Sequence, residues 1–391
     1  MSAAKASEYA VLERDANARR KPSNSRQPLY PVSRRHLDVL STDLGVWQHA
    51  RGAEPDRQFG YCTDDVARAV TVDVLHSREL GWPAVDASAR RSLRFLLQAY
   101  DDKSGRFLNF RDVDGVWLDV AASEDCHARA LVALAALMGA VPGSDLADQA
   151  RGLFDRALPA GLSFCAPRPI SATLLACDSV VGAGLSTEAG PALDLLTARL
   201  VEIVGDPPAE WPWFEPVLTY ENAIVPRSLI AAGVRLGRPT LIAKGCSMLD
   251  WLIDVQTGES GQFSPVGNGW WPRKAERSQF DQQPIEAASM IAAAADAYRA
   301  TGRGRYLQAA EAAYGWFLGD NDIGVPLAIP ASGGCQDGLT PSGPNENQGG
   351  ESTLMWLTAL EQIRDLRRST PSHIRPVVLA QSPLDGAAQG E

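Results

Sequence analysis

Six times along the chain a polar loop rich in Asp, Glu, Asn and Gln runs straight into an Ala/Leu-rich helical stretch. The junctions read Tyr61-Cys62-Thr63-Asp64-Asp65, Ser123-Glu124-Asp125-Cys126-His127, Arg168-Pro169-Ile170-Ser171-Ala172-Thr173, Thr219-Tyr220-Glu221-Asn222, Phe280-Asp281-Gln282-Gln283-Pro284-Ile285-Glu286 and Asn345-Glu346-Asn347-Gln348-Gly349-Gly350-Glu351. They recur at roughly fifty to sixty residues, a period that belongs to stacked units unable to bury their apolar faces alone. Five of the six carry at least one carboxylate; the third does not.

Between junctions the helical segments come in pairs. The first of each pair is expected near 63–80, 124–140, 170–184, 221–236, 282–301 and 350–367, and these are rich in small residues, as in Ala128-Arg129-Ala130-Leu131-Val132-Ala133-Leu134-Ala135-Ala136-Leu137. A helix apolar on nearly every side belongs in an interior layer. The second segments, near 84–100, 144–158, 189–204, 239–254 and 304–318, are one-sided and charged, as an outer layer requires, and Arg34 to Leu40 supplies a short sixth. The loops repeat as well. Phe107 precedes Glu124 by 17 residues, Phe263 precedes Asp281 by 18, and Trp47 precedes Asp64 by 17. A small hairpin is expected where Gly105–Phe110 meets Gly115–Leu118. Alternating inner and outer helices with long outer-to-inner loops describe an all-α (α/α)6 toroid: six helical hairpins closed in a ring. The N-termini of its inner helices converge at one mouth.

Residues 34–368 form this domain, flanked by a flexible N-terminal arm (1–33) and a flexible tail (369–391) of polar composition. A net charge of −10 over 391 residues lacks the basic footprint of a nucleic-acid binder. No run is apolar enough for a secretory signal or a membrane span. Six scattered cysteines without a Cys-x-x-Cys pair point to reduced thiols in a cytoplasmic protein. Without an Asp-x-Asp-x-Asp-Gly loop or a His-x-x-x-His pair, neither a metal nor a cofactor is expected.

Acids at helix N-termini are ordinary caps. Capping does not explain the doublets Asp64-Asp65 and Glu124-Asp125, nor Glu286 and Glu351 beyond the cap. Carboxylates crowded around one cavity repel each other, so one pKa rises while others stay low, and a general acid and a general base emerge from the same residue types. Asp65, Glu124, Asp125, Glu221 and Asp281 are the candidate catalytic residues. Aromatic rings beside planar polar groups suit the two faces of a pyranose. The binding candidates are therefore Tyr61, Asp64, Arg68, His127, Arg129, Trp211, Trp213, Tyr220, Asn222, Trp270, Trp271, Gln282, Glu286, Asn347 and Glu351. Arg68 and Arg129, each following an acidic doublet, are expected to orient its carboxylates, whereas Phe107 and Trp117 read as loop packing.

The period, the Ala-rich inner helices and the acidic-aromatic loops resemble the six-hairpin glycosidase superfamily over about residues 34–368. Phe59-Gly60-Tyr61-Cys62-Thr63-Asp64-Asp65-Val66-Ala67-Arg68-Ala69 and Ser123-Glu124-Asp125-Cys126-His127-Ala128-Arg129-Ala130-Leu131 are also similar to a bacterial carbohydrate-associated group of no assigned activity. Members of that group sometimes adjoin glycosyltransferase modules. The resemblance implies carbohydrate as the substrate class and matches no hydrolase motif residue by residue. The leading expectation is a glycoside hydrolase cleaving a short oligosaccharide, with inversion favoured. A sugar epimerase or isomerase of the same shape would call for a histidine pair, and only His127 sits at a junction. In a non-catalytic carbohydrate-binding scaffold the acids would be caps.

Overall fold

The computed structural model describes residues 26–118 and 123–370. Twelve α-helices lie within them: α1 (Arg35–Leu40), α2 (Thr63–Leu80), α3 (Asp86–Ala99), α4 (Glu124–Ala140), α5 (Asp145–Gly161), α6 (Pro167–Gly182), α7 (Ala189–Val204), α8 (Ile224–Arg235), α9 (Pro239–Val255), α10 (Pro284–Thr301), α11 (Gly304–Phe317) and α12 (Gly350–Ser369). The helices start where local chemistry allows. Cys62 and Ser123 accept the Asp65 and Cys126 N–H groups ahead of α2 and α4. Prolines open α6, α9 and α10, where a missing N–H costs nothing.

The even-numbered helices form the inner ring. Each packs on the next, and α12 returns to pack on α2, which closes it. Alanines fill the seams, with Ala128, Ala130, Ala133 and Ala135 of α4 and Ala287, Ala288 and Ala292–295 of α10 all buried. Short side chains let the helix axes approach closely. Each odd-numbered helix from α3 to α11 backs onto the inner helix before it, and α1 backs onto α12. The inner and outer assignments made from the sequence hold throughout.

The loop repeat has a physical cause. After four outer helices the returning chain donates one N–H to a carbonyl at the helix end: Trp47 to Leu40, Leu108 to Ala99, Ser264 to Gln256 and Leu327 to Phe317, at 2.8–3.0 Å. Trp47, Phe107 and Phe263 are buried at these points. The expected hairpin divides in two. Phe110 accepts from the Leu118 N–H at 2.9 Å, but Phe107 pairs backward with Tyr100. Residues 26–33 of the expected arm lie against the ring, with Tyr314 donating to the Pro28 carbonyl at 2.9 Å and Arg364 to that of Tyr30 at 2.6 Å. The remainder of the expected arm and almost all of the tail lie outside the described residues. No described helix is long and apolar enough to cross a membrane.

Candidate active site

Asp64 and Asp65 open α2 and turn to different partners. Asp65, 4% exposed, accepts from Arg68 Nη1 at 2.9 Å and from the Cys62 thiol at 3.2 Å. The other Arg68 nitrogen reaches Glu351 at 2.8 Å, so one guanidinium ties the starts of α2 and α12 together. Gly350 permits the approach, since a Cβ there would lie 2.8 Å from Asp65 Oδ2. Burial lifts the Asp65 pKa to about 6; the Arg68 charge opposes the rise and Glu351 adds to it.

Arg129 reaches past its own doublet. It donates to Asp64 at 2.8 Å and to Glu221, on the α8 junction, at 3.1 Å. Asn109 donates to the second Asp64 oxygen at 2.9 Å. Burial pushes Asp64 upward, but Arg129 and Arg68 outweigh it and hold the carboxyl below its ordinary value. Three of the six junctions thus share one cation.

The acid-free third junction contributes an arginine. Arg168, buried in the first turn of α6, takes both oxygens of Glu215 at 3.0 and 2.9 Å, Asn222 Oδ1 at 3.0 Å and the Tyr220 carbonyl. Its guanidinium also lies over the Tyr220 ring, 4.9 Å from the centroid. The Tyr220 hydroxyl donates to Asp125 at 2.8 Å. Beside it, Glu221 has φ of +44°, a left-handed conformation that costs of order 1 kcal/mol in a non-glycine residue. Glu286 holds that bend by accepting from the Glu221 N–H and, at 3.4 Å, from Asn222 Nδ2. Burial raises Glu286 to about 7 despite these hydrogen bonds.

On the remaining arc, Asp281 (φ +61°) donates its N–H to the Leu339 carbonyl at 2.8 Å and accepts from Gln283 at 2.9 Å. The loop it pairs with carries Asp337, a residue absent from the sequence candidates. Burial raises Asp337 to about 6, helped by the charges of Glu351, Asp281 and Asp65 and opposed by an Asn347 hydrogen bond at 3.3 Å. Asn347 is fixed in turn: its Oδ1 accepts the Ala50 N–H at 2.8 Å and its Nδ2 meets His49 Nδ1 at 3.1 Å.

Several candidates are committed elsewhere. Glu124 folds back to accept the Cys165 and Ala166 N–H groups at 3.0–3.3 Å, so its carboxylate serves the chain entering α6. His127 is fully buried between Phe107 and Phe164 with Nε2 on the Ala157 carbonyl, which excludes it as a sugar ligand. Tyr61 is buried against Trp47 and takes the Thr42 hydroxyl. Gln282, buried, bonds Asp322 at 2.7 Å and Trp316 at 2.8 Å. Trp211, Trp213 and Trp271 pack around Trp251 of the outer helix α9. Trp211 and Trp213 are buried in this cluster and Trp271 is half-buried, whereas Trp270 is exposed. The mouth therefore brings together Asp64, Asp65, Arg68, Asp125, Arg129, Tyr220, Glu221, Asn222, Asp281, Glu286, Asn347 and Glu351, with Asp337, Arg168 and His49 added.

Six hairpins closed in a ring, with a charged mouth at the inner N-termini, define an (α/α)6 toroid, and solved structures of that architecture superpose on the chain. A sugar epimerase from a ruminal bacterium matches with a TM-score of 0.68 at 14% identity, covering 85% of this chain and 95% of its own. Cellobiose 2-epimerase from Bacillus thermoamylovorans matches at 0.66 and 12%, covering 86% and 98%. An α-1,6-mannanase of a Salegentibacter species, an inactive variant with two consecutive aspartates replaced and α-1,6-mannotetrose bound, matches at 0.59 and 9%, covering 85% and 96%. At these identities the likeness is one of fold, the (α/α)6 toroid. No protein-family model and no curated protein sequence matches the chain.

Proposed function

We propose that the protein is a glycoside hydrolase that cleaves a short neutral oligosaccharide at the mouth of the ring. The observation that carries this reading is the division of one carboxylate cluster into two populations. Asp337 and Asp65 titrate near 6, while Asp64 stays ionised beside Arg129, which also holds Glu221. Direct displacement needs such a pair: a protonated carboxyl to donate to the departing glycosidic oxygen, and a carboxylate to take a proton from water as that water attacks the anomeric carbon. Asp337 suits the acid, since Asp65 and Glu286, the other strongly raised acids of the mouth, have both oxygens engaged. Glu221 suits the base, because its backbone is held in a strained bend that aims the side chain into the cluster.

Epimerisation would require imidazoles able to move a proton at carbon. Among the described residues, which do not include His373, the histidines His36, His76 and His127 are buried. At His49, Asn347 Nδ2 donates to Nδ1, because Asn347 Oδ1 is already claimed by the Ala50 N–H. The ring proton then sits on Nε2, and His49 offers a donor where an epimerase needs a base.

The test incubates the chain with gluco- and manno-oligosaccharides of two to four units and follows cleavage by chromatography and anomeric NMR. Asp337→Asn and Glu221→Gln should each lose about 10²–10⁴-fold in turnover. Deuterium entering C2 from heavy water without cleavage would replace hydrolysis with epimerisation.

A further inference from the structure

Beside the acid cluster the rim carries an exposed aromatic that the hydrolytic machinery does not use. Phe59 is 47% exposed. The loop is not loose. Gly60 (φ +62°) is pressed against the facing strand, where a Cβ would run into the Arg111 carbonyl. The Gln48 N–H bonds the Gly60 carbonyl at 3.2 Å and the Gly350 N–H bonds the Gln48 carbonyl at 3.0 Å. The Phe59 ring is thus mounted on the frame that sets the start of α12. Its immediate neighbour is His49, 4.4 Å away between ring centroids and tilted by 58°. His49 is half-buried, and its Nδ1 side is fixed by Asn347, which also contacts Asp337. Its Nε2–H makes no hydrogen bond among the described residues.

We propose that Phe59 and His49 form a sugar subsite next to the reacting centre, taking one pyranose unit of a neutral oligosaccharide beyond the scissile bond. The ring of Phe59 offers an apolar face to the C–H side of a pyranose. The His49 Nε2–H supplies one directed donor to a hydroxyl, the combination of wall and oriented polar group that small-ligand sites use. Asn347 makes the donor dependable by fixing the tautomer, and it sets the subsite one side chain from Asp337. The net charge of −10 and the excess of acids at the mouth disfavour uronates and phosphosugars, which like charge would repel. The inference rests on the hydrolytic reading for its substrate class, and it specifies a chain of linked sugars over a free monosaccharide.

The experiment titrates the full chain with mannose and α-1,6-manno-oligosaccharides, and with glucose and cello-oligosaccharides, of one to four units by calorimetry. Wild type is set beside Phe59→Ala and His49→Phe, the second keeping a ring while deleting the donor. In the better-bound series affinity should rise at the unit that reaches the subsite, and each variant should lose about 10-fold for that ligand and longer ones. In Phe59→Ala, monosaccharide binding and the melting temperature should stay unchanged. Wild-type affinity across the series in both variants overturns the subsite, and if cleavage persists the hydrolytic reading stands without it. A variant-sensitive affinity step with no cleavage keeps the subsite and removes hydrolysis. Binding of no sugar in either series overturns both.

Discussion

At the scale of single residues the mouth is an arrangement of few cations among many acids, and Arg129 is its most exposed dependency. One guanidinium balances Asp64 and Glu221 across three junctions, with all three side chains less than a fifth exposed. Removing one partner of such a group leaves charge without compensation, which in buried pairs typically costs about 3–5 kcal/mol. Partial exposure brings the expected loss for Arg129→Met to roughly 2–3 kcal/mol. Asp64→Asn added to it should return part of that loss, because the two changes remove one another's partner. Urea titration of the four forms measures the coupling, and strict additivity would show that the pair does not interact. Much of this chemistry was legible in the sequence as residue types: acidic doublets, following arginines, Asn347 and Glu351. Pairing was not, because Arg129 meets Glu221 from 92 positions away, and only ring closure brings them together. Asp337 was missed because Gly333-Gly334-Cys335-Gln336-Asp337-Gly338 reads as a turn and lies outside any junction. Trp211 and Trp213 turn inward for a related reason, since composition cannot tell a ring that faces a ligand from one that faces another indole.

At the scale of elements the sequence periodicity placed inner and outer helices to within a few residues, because polar caps, prolines and Ala-rich faces act locally. The exceptions lie where a side chain crosses between elements. Glu124 is the clearest case. It belongs to α4 by sequence, yet its carboxylate accepts the N–H groups leading into α6. Interactions of this capping kind are worth about 1 kcal/mol. Glu124→Gln, which keeps one acceptor oxygen, should therefore lower stability by roughly 0.5–1 kcal/mol and leave most of the turnover intact, whereas Asp337→Asn should do the reverse. Thermal unfolding beside cleavage assays on both variants separates the roles. A Glu124→Gln protein of unchanged stability but abolished turnover would return this residue to the catalytic set.

At the scale of the whole molecule the ring concentrates its buried acids and thereby sets how stability depends on pH. Asp65, Asp73 and Asp337 rise to about 6 and Glu286 to about 7, in each case chiefly through burial. A group with a raised folded-state pKa favours the folded chain when protonated, so its contribution is complete below the unfolded value near 4 and is lost as pH climbs through 6 to 7. Asp64, held low, acts oppositely and loses its contribution below about 4. Burial holds His76 down to about 3 and His127 down to about 4, so below about pH 6.5 the unfolded chain takes up their protons first and part of the gain from the acids is offset. With four raised acids against two histidines, stability should still be higher at pH 5 than at pH 8. Each raised group accounts for at most ~3 kcal/mol, so even a third of one such contribution should make the melting temperature at pH 5 exceed that at pH 8 by about 1 °C or more. Calorimetry from pH 4.5 to 8 reads this directly, and a melting temperature that climbs steadily across the range would refute the argument. Asp73 is the internal control. It lies on α2 roughly 12–15 Å from the mouth by helix rise, bound by Arg34. Asp73→Asn and Glu286→Gln should both flatten the pH profile of stability, but only the mouth substitution should also disturb turnover. The two effects separate because the cost of burying an acid is the same anywhere in the ring, whereas its chemical use depends on facing the mouth.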